Sequence, residues 1–133
     1  MGIIRIPSPR TTCPVMEGLT KDALIEVAAY FQALSEPTRL AILNLLREGE
    51  RNVGAIAEAT GYTAANVSRH LSMLTKHGLV AREGRGTSVY YRIADESVYK
   101  LCDLVCGNIA RRFERTASER EAFMRPTGRA ARR

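Results

Sequence analysis

The chain is 133 residues long, enough for one domain with a modest core and too short for two of ordinary size. Against 14 Asp and Glu it carries 20 Lys and Arg, and the resulting formal charge of +6 at pH 7 points to an acidic partner, nucleic acid first and an anionic membrane surface second. No apolar run approaches the roughly 20 residues that span a bilayer, and three cysteines, an odd number, argue against a disulfide framework.

Residues 1–18 hold three of the five prolines and little periodicity, and read as an irregular arm carrying Cys13. The opening "MGIIRIPSPR" breaks its isoleucines with Arg5 and Pro7, so it lacks the apolar core of a signal peptide, and Ile6 stands where a myristoylation signal would have Ser or Thr. The expected compartment is the cytoplasm, where the cysteines are reduced thiols, ligands or sensors.

From Thr20, Leu24, Val27, Ala28, Phe31 and Leu34 recur at helical spacing, and Pro37 disfavours helical geometry at Glu36. Pro37 then opens a second helix in which Leu40, Ile42, Leu43, Leu45 and Leu46 wrap most of the circumference, so burial is expected. Asn52 can cap a short third helix with Val53, Ile56 and Ala57 inward, and Gly61 supplies a left-handed stop. Thr63 can cap a fourth, whose Val67, Leu71 and Leu74 form the inward stripe before Gly78. Two short helices joined by a turn of about four residues containing Gly make a helix-turn-helix. The period then shortens: "LVARE", "GRGT" and "SVYYRI" read as strand, turn and strand, a β-hairpin wing. Asp95 can cap a last helix from about Glu96 to Phe113, and residues 116–133 read as a basic tail. The predicted architecture is mainly α with a β-hairpin wing, a winged helix-turn-helix domain over residues 19–115.

In "TAANVSRHLSML" the positions not needed for the core are Thr63, Ala64, Asn66, Ser68, Arg69 and His70. Asn66 and Arg69 suit paired hydrogen bonds to base edges, Thr63 and Ser68 suit phosphate oxygens, and small residues allow close approach to a major groove. Arg82, Arg85 and Thr87 are the matching candidates on the wing. His70 is open to a second reading, as a group at the rim or against the helix-turn-helix core, and His77 reads as a favourable charge at a helix C-terminus. Any solvated helix turns Asn, Ser and Arg outward, so the combination of turn, wing and basic charge carries the inference. The expected partner is double-stranded operator DNA, with no membrane involved. The arginines from Arg111 to Arg133 can add electrostatic contacts to DNA flanks or simply be solvated.

In the last helix Val98, Leu101, Cys102, Val105, Ile109 and Phe113 fall in one broad apolar stripe with Cys106 at its edge, and a stripe that wide calls for a partner, most economically a second copy. Cys102 and Cys106 lie one turn apart, about 6 Å between α-carbons, so both sulfurs can reach one soft ion. Cys13 is the natural third ligand, from its own chain or its partner's. Three thiolates suit a thiophilic ion of low coordination number, arsenic(III) or antimony(III), ahead of zinc or cadmium, for which Asp103 or further thiols would have to complete the shell. The alternatives are thiol redox or reactive-sulfur chemistry linking Cys13 to a helix cysteine, and cysteines that are only small hydrophobes. A thiol enzyme would need a base beside its nucleophile, and both histidines belong to the DNA-reading helix.

"FQALSEPTRLAILNLL", "VGAIAEATGYTAANVSRHLSMLTKHGLVAREGRG" and "VYYRI" together resemble the ArsR/SmtB family of winged-helix repressors over about Ala23 to Phe113. The resemblance implies a homodimer paired through its first and last helices, binding an imperfect inverted repeat and released by an inducer. The family's usual sensing positions are incompletely filled here. Asn52 and Gly54 stand where some arsenite sensors have cysteines, Asn44 where reactive-sulfur sensors have one, and the last helix offers Asp103 but no histidine.

Overall fold

A computed structural model describes residues 16–114 and 117–125, with backbone only for 117–120. Cys13 with the rest of the arm up to residue 15, residues 115 and 116, and residues 126–133 lie outside the described residues.

After a single 3-10 turn at Met16–Gly18, helix α1 (Lys21–Leu34) opens on Thr20, whose hydroxyl accepts from the Ala23 amide at 3.1 Å. Pro37 holds Glu36 extended and begins α2 (Pro37–Leu46), and the Glu36 carboxylate caps α2 by accepting from the Arg39 amide at 3.0 Å. Strand β1 (Arg51–Asn52) leads directly into α3 (Val53–Thr60). Asn52 accepts from the Ala55 amide at 2.8 Å, and Gly61 ends the helix at φ +82°, a conformation that strains any residue with a Cβ. Helix α4 (Ala64–Lys76) opens on Thr63 and closes with paired hydrogen bonds, Leu79 N–H to Leu74 C=O at 2.9 Å and Gly78 N–H to Thr75 C=O at 3.0 Å. That is a Schellman close, with Gly78 at φ +76°.

Strands β2 (Val80–Arg85) and β3 (Ser88–Ile93) form the expected wing, and β1 adds to it, giving an antiparallel sheet ordered β1-β3-β2. Tyr91 sits between Arg51 on one side and Arg82 on the other. The two-residue β1 carries no alternation and was not legible in the sequence. The turn is also shorter than "GRGT" suggested, because pairing continues to Arg85 with Ser88 and leaves only Gly86 and Thr87 as the loop.

The core of this unit, which runs to Ala94, is made by α2, α3 and α4 with the sheet: Ile42, Ile56, Val67, Leu71 and Leu74 are all completely buried. α2 is less fully covered than its composition suggested. Ile42, Leu43 and Leu46 are buried, but Leu40 is exposed and Leu45 half-buried.

A second compact unit begins at Asp95. The Asp95 carboxylate accepts from the Ser97 amide at 2.9 Å at the start of α5 (Ser97–Phe113). Beyond it α6 (Ala117–Met124) forms inside the stretch expected to be an aperiodic tail. Its Phe123 meets Phe113 edge to face, centroids 5.6 Å apart, an aromatic contact the eight-residue segment was too short to advertise by periodicity. Among the described residues no helix is long and apolar enough to cross a membrane.

Leu71→Ala should lower unfolding free energy by about 3 kcal/mol through the cavity it leaves. Leu40→Ala should cost under about 1 kcal/mol. Denaturant titration at one fixed chain concentration measures both.

Candidate nucleic-acid interface

One face of α4 is committed inward by Val67, Leu71 and Leu74, and that commitment decides what the other face offers. Ala64, Ser68 and Arg69 are exposed and Asn66 half-buried, on the first two turns. Thr63 is exposed at the cap, its hydroxyl accepting from the Asn66 amide at 3.1 Å, which leaves the hydroxyl proton available to an acceptor outside the protein. Arg69 donates to Asn66 Oδ1 at 2.5 Å, so the two candidate base-reading side chains hold one another in place. The remaining guanidinium N–H groups and the Asn66 amide N–H₂ are donors beyond that bond.

His70 departs from the expected outward group. Its ring is turned inward, with 11% of the side chain exposed, and Arg39 donates to its Nδ1 across 3.2 Å. A guanidinium can only donate, so Nδ1 is the acceptor and the ring proton sits on Nε2, 3.9 Å from Glu36 Oε1. Burial tends to raise the Glu36 pKa. The Arg39 and Thr38 amides, with the nearby Arg39 charge, outweigh it and hold the carboxyl below the usual range. Neither Arg39 nor Glu36 was singled out from the sequence, although an arginine embedded in "PTRLAILNLL" was a visible signal. His77 is the C-cap residue of α4, consistent with its expected place.

On the wing, Arg82, Arg85 and Thr87 are all exposed. Thr87 stands in the turn beside Gly86, whose φ is +61°. Arg82 donates through Nε to the Tyr91 hydroxyl at 3.4 Å. Arg85 is more heavily engaged. Its guanidinium donates to both Glu50 oxygens, at 2.7 and 2.9 Å, and to Glu83 at 3.1 Å, and it lies 4.7 Å from the Tyr90 ring centroid. Glu50, missed in the sequence, neutralises part of the charge the wing was expected to present. The Arg85 hydrogen bond chiefly, with the charges of Arg85 and Arg92, holds the Glu50 carboxyl below its usual range against a desolvation effect of opposite sign.

On α5, Cys102 is half-buried and Cys106 exposed. Among the described residues no three His, Cys, Asp or Glu side chains gather as metal ligands would. Cys13 lies outside that set.

Comparison with known proteins bears on the same segments. The family model for bacterial regulatory proteins of the arsR family matches residues 36–82, from the α2 cap to the first half of the wing. The HTH-type transcriptional regulator Rv0324 of Mycobacterium tuberculosis is 48% identical over 86 residues, which are 64% of this chain and 38% of that protein. The chain therefore spans well under half the length of that relative. The HTH-type transcriptional regulator NmtR of the same organism is 40% identical over 85 residues, 64% of this chain and 71% of NmtR. Among solved structures, the homodimeric winged helix-turn-helix DNA-binding domain of a possible ArsR-family regulator from Mycobacterium bovis superposes with a TM-score of 0.65 at 40% identity, covering 74% of this chain and 94% of that one.

A carboxyl with a depressed folded-state pKa contributes stability above its unfolded value and loses it as pH falls through the folded one. The Glu50–Arg85 contact should therefore loosen only on acidification below the ordinary glutamate range. Carboxyl-detected NMR titration should place Glu50 below the exposed glutamates, and Arg85→Ala should return it to them.

Proposed function

Because the chain belongs to the ArsR family of bacterial regulatory proteins, we propose that it is a homodimeric, DNA-binding transcriptional repressor released from its operator by a thiol-reactive inducer. The observation that carries the DNA reading is the split character of α4: a completely buried Val67–Leu71–Leu74 stripe backs an outward face of Thr63, Ala64, Asn66, Ser68 and Arg69. With α4 in the major groove, Asn66 and Arg69 face base edges while Thr63 and Ser68 reach phosphate. Arg82 and Thr87 serve the wing contact, and Arg85 joins them only by exchanging Glu50 for phosphate.

Support for the dimer comes from apolar groups left in water. On α1, Ile25 is 59% and Phe31 47% exposed; on α5, Leu104 is 71% and Val105 47% exposed. Helices of this kind bury such faces against a second copy, and the Mycobacterium bovis domain is homodimeric. Two copies set two α4 helices about one DNA turn apart, roughly 34 Å, which suits an inverted repeat.

The inducer assignment rests on α5. Cys102 and Cys106, one half-buried and one exposed, present thiols on neighbouring positions of one helix face, and Cys13 supplies a third. Thiolates without imidazole fit arsenic(III) or antimony(III) better than zinc or cadmium, which favour four ligands. The α4 imidazole is occupied elsewhere, by Arg39. Ligation at a dimer seam would change the spacing of the two recognition helices and so weaken operator binding.

A duplex selected by the protein from a randomised pool provides the probe. Sedimentation should give a dimer, and fluorescence anisotropy should show that arsenite at one equivalent per site releases the duplex. Cys102→Ser should abolish that release and Cys13→Ser weaken it. Release by polysulfide or peroxide alone would move the assignment to redox or reactive-sulfur sensing, and indifference to every reagent would leave a regulator with silent thiols.

A further inference from the structure

Four hydrogen bonds meet at Arg39, and together they join three helices. Its Nε donates to the Ala33 carbonyl at 2.6 Å and a terminal nitrogen donates to the Gln32 carbonyl at 3.2 Å, both in the last turn of α1. Its amide donates to the Glu36 carboxylate that caps α2, and its other terminal nitrogen donates to His70 on α4. Both carbonyls lie at the C-terminal end of α1, where Gln32 also accepts from the Ser35 amide at 3.0 Å, so a guanidinium there is stabilised by the negative end of the helix dipole as well. A rigid planar fork with fixed donor directions thus spans from the end of one helix to the middle of another.

The location on α4 matters. Val67, Leu71 and Leu74 specify which face is inward, but apolar contacts are non-directional and leave the roll and axial slide of a helix weakly determined. A hydrogen bond to a ring fixes both. His70 follows Arg69 directly and lies one turn beyond Asn66, so the roll it fixes sets the aim of those two side chains. At its other end the fork grips α1, whose Ile25 and Phe31 stand exposed.

We propose that His70 is a positioning residue that does not touch DNA, and that the Arg39–His70 contact is a strut passing the placement of α1 to the recognition helix α4. This inference rests on the DNA-binding reading and goes beyond it by assigning a route from the helix expected at the subunit seam to the helix expected in the groove.

The test is a double-mutant cycle on the full chain, with anisotropy against the selected duplex and a scrambled duplex of equal length. His70→Leu and Arg39→Met should each lower affinity for the selected duplex by about tenfold, the scale of losing a hydrogen bond to a charged group. Scrambled-duplex affinity and the salt slope should be preserved. The double variant should be no weaker than the worse single, since both remove one strut. His70→Asn, which keeps an acceptor near the Nδ1 position, should recover most of the loss. Arg39→Lys replaces Arg39→Met if the latter fails to fold by circular dichroism. Additive losses with a reduced salt slope for His70→Leu would make His70 a direct DNA contact and overturn the proposal. A lower melting temperature with selected-duplex affinity unchanged would reduce the contact to fold stability and overturn it too. If the wild-type chain selects no duplex at all, it is the DNA-binding reading that fails.

Discussion

Everything proposed for this chain depends on α4 having two incompatible surfaces held apart. Val67, Leu71 and Leu74 are completely buried against α2, α3 and the sheet, and a helix so anchored cannot turn its other face anywhere but outward. Burying three such side chains is worth several kcal/mol, on the order of 2 kcal/mol each. That comfortably exceeds what the outward Asn66–Arg69 hydrogen bond contributes. The outward face is therefore available to a partner because the inward face is not negotiable. The Thr63 cap and the Gly78 close fix where that face starts and stops, at residues whose chemistry serves the backbone first.

The charge of the chain is less available than its sum implies. A formal +6 suggested a broadly attractive surface, yet Arg85, the most prominent wing cation, is held by Glu50 and Glu83 and stacked near Tyr90, and Arg39 is spent inside the protein on carbonyls and an imidazole. Exposed ion pairs of the Arg85 kind contribute little to stability, and a phosphate with several contacts can displace them. In the proposed complex the consequence would be selectivity: a wing whose cation must change partners gains less from a random phosphate than one carrying a bare arginine.

Most of the fold could be read from the residues because its signals were local. Asn52 and Thr63 each cap the helix they were expected to cap, Gly61 and Gly78 take the left-handed conformation that ends a helix, and β2 and β3 pair as the expected hairpin. What could not be read depends on contacts distant in sequence. Strand β1 is two residues that exist only because Tyr90 and Tyr91 lie opposite them. α6 holds Phe123 against Phe113, ten residues away. The inward turn of His70 follows from Arg39, 31 positions earlier, and the engagement of Arg85 from Glu50, 35 positions earlier. Outward candidates on α4 were legible because helical periodicity separates faces; which outward polar group is already satisfied was not, since periodicity carries no information about partners.

The proposed sensing step needs little energy if the subunit seam and the recognition helix are mechanically connected. Tenfold release of DNA corresponds to a coupling of about 1.4 kcal/mol, within the range usual for two linked sites. In the proposed dimer, two α4 helices meeting grooves roughly 34 Å apart would be sensitive to small rotations at the seam, because a change of angle there is multiplied by the distance to the groove. Cys106 is exposed and Cys102 half-buried on α5, so in the proposed sensing step a soft ion would meet the accessible thiol before its neighbour. Such a thiol pair would act on the geometry of the seam rather than on DNA contacts. Under the proposed strut, a displacement of Gln32 and Ala33 at the last turn of α1 would carry the fork, and with it His70, in the same direction.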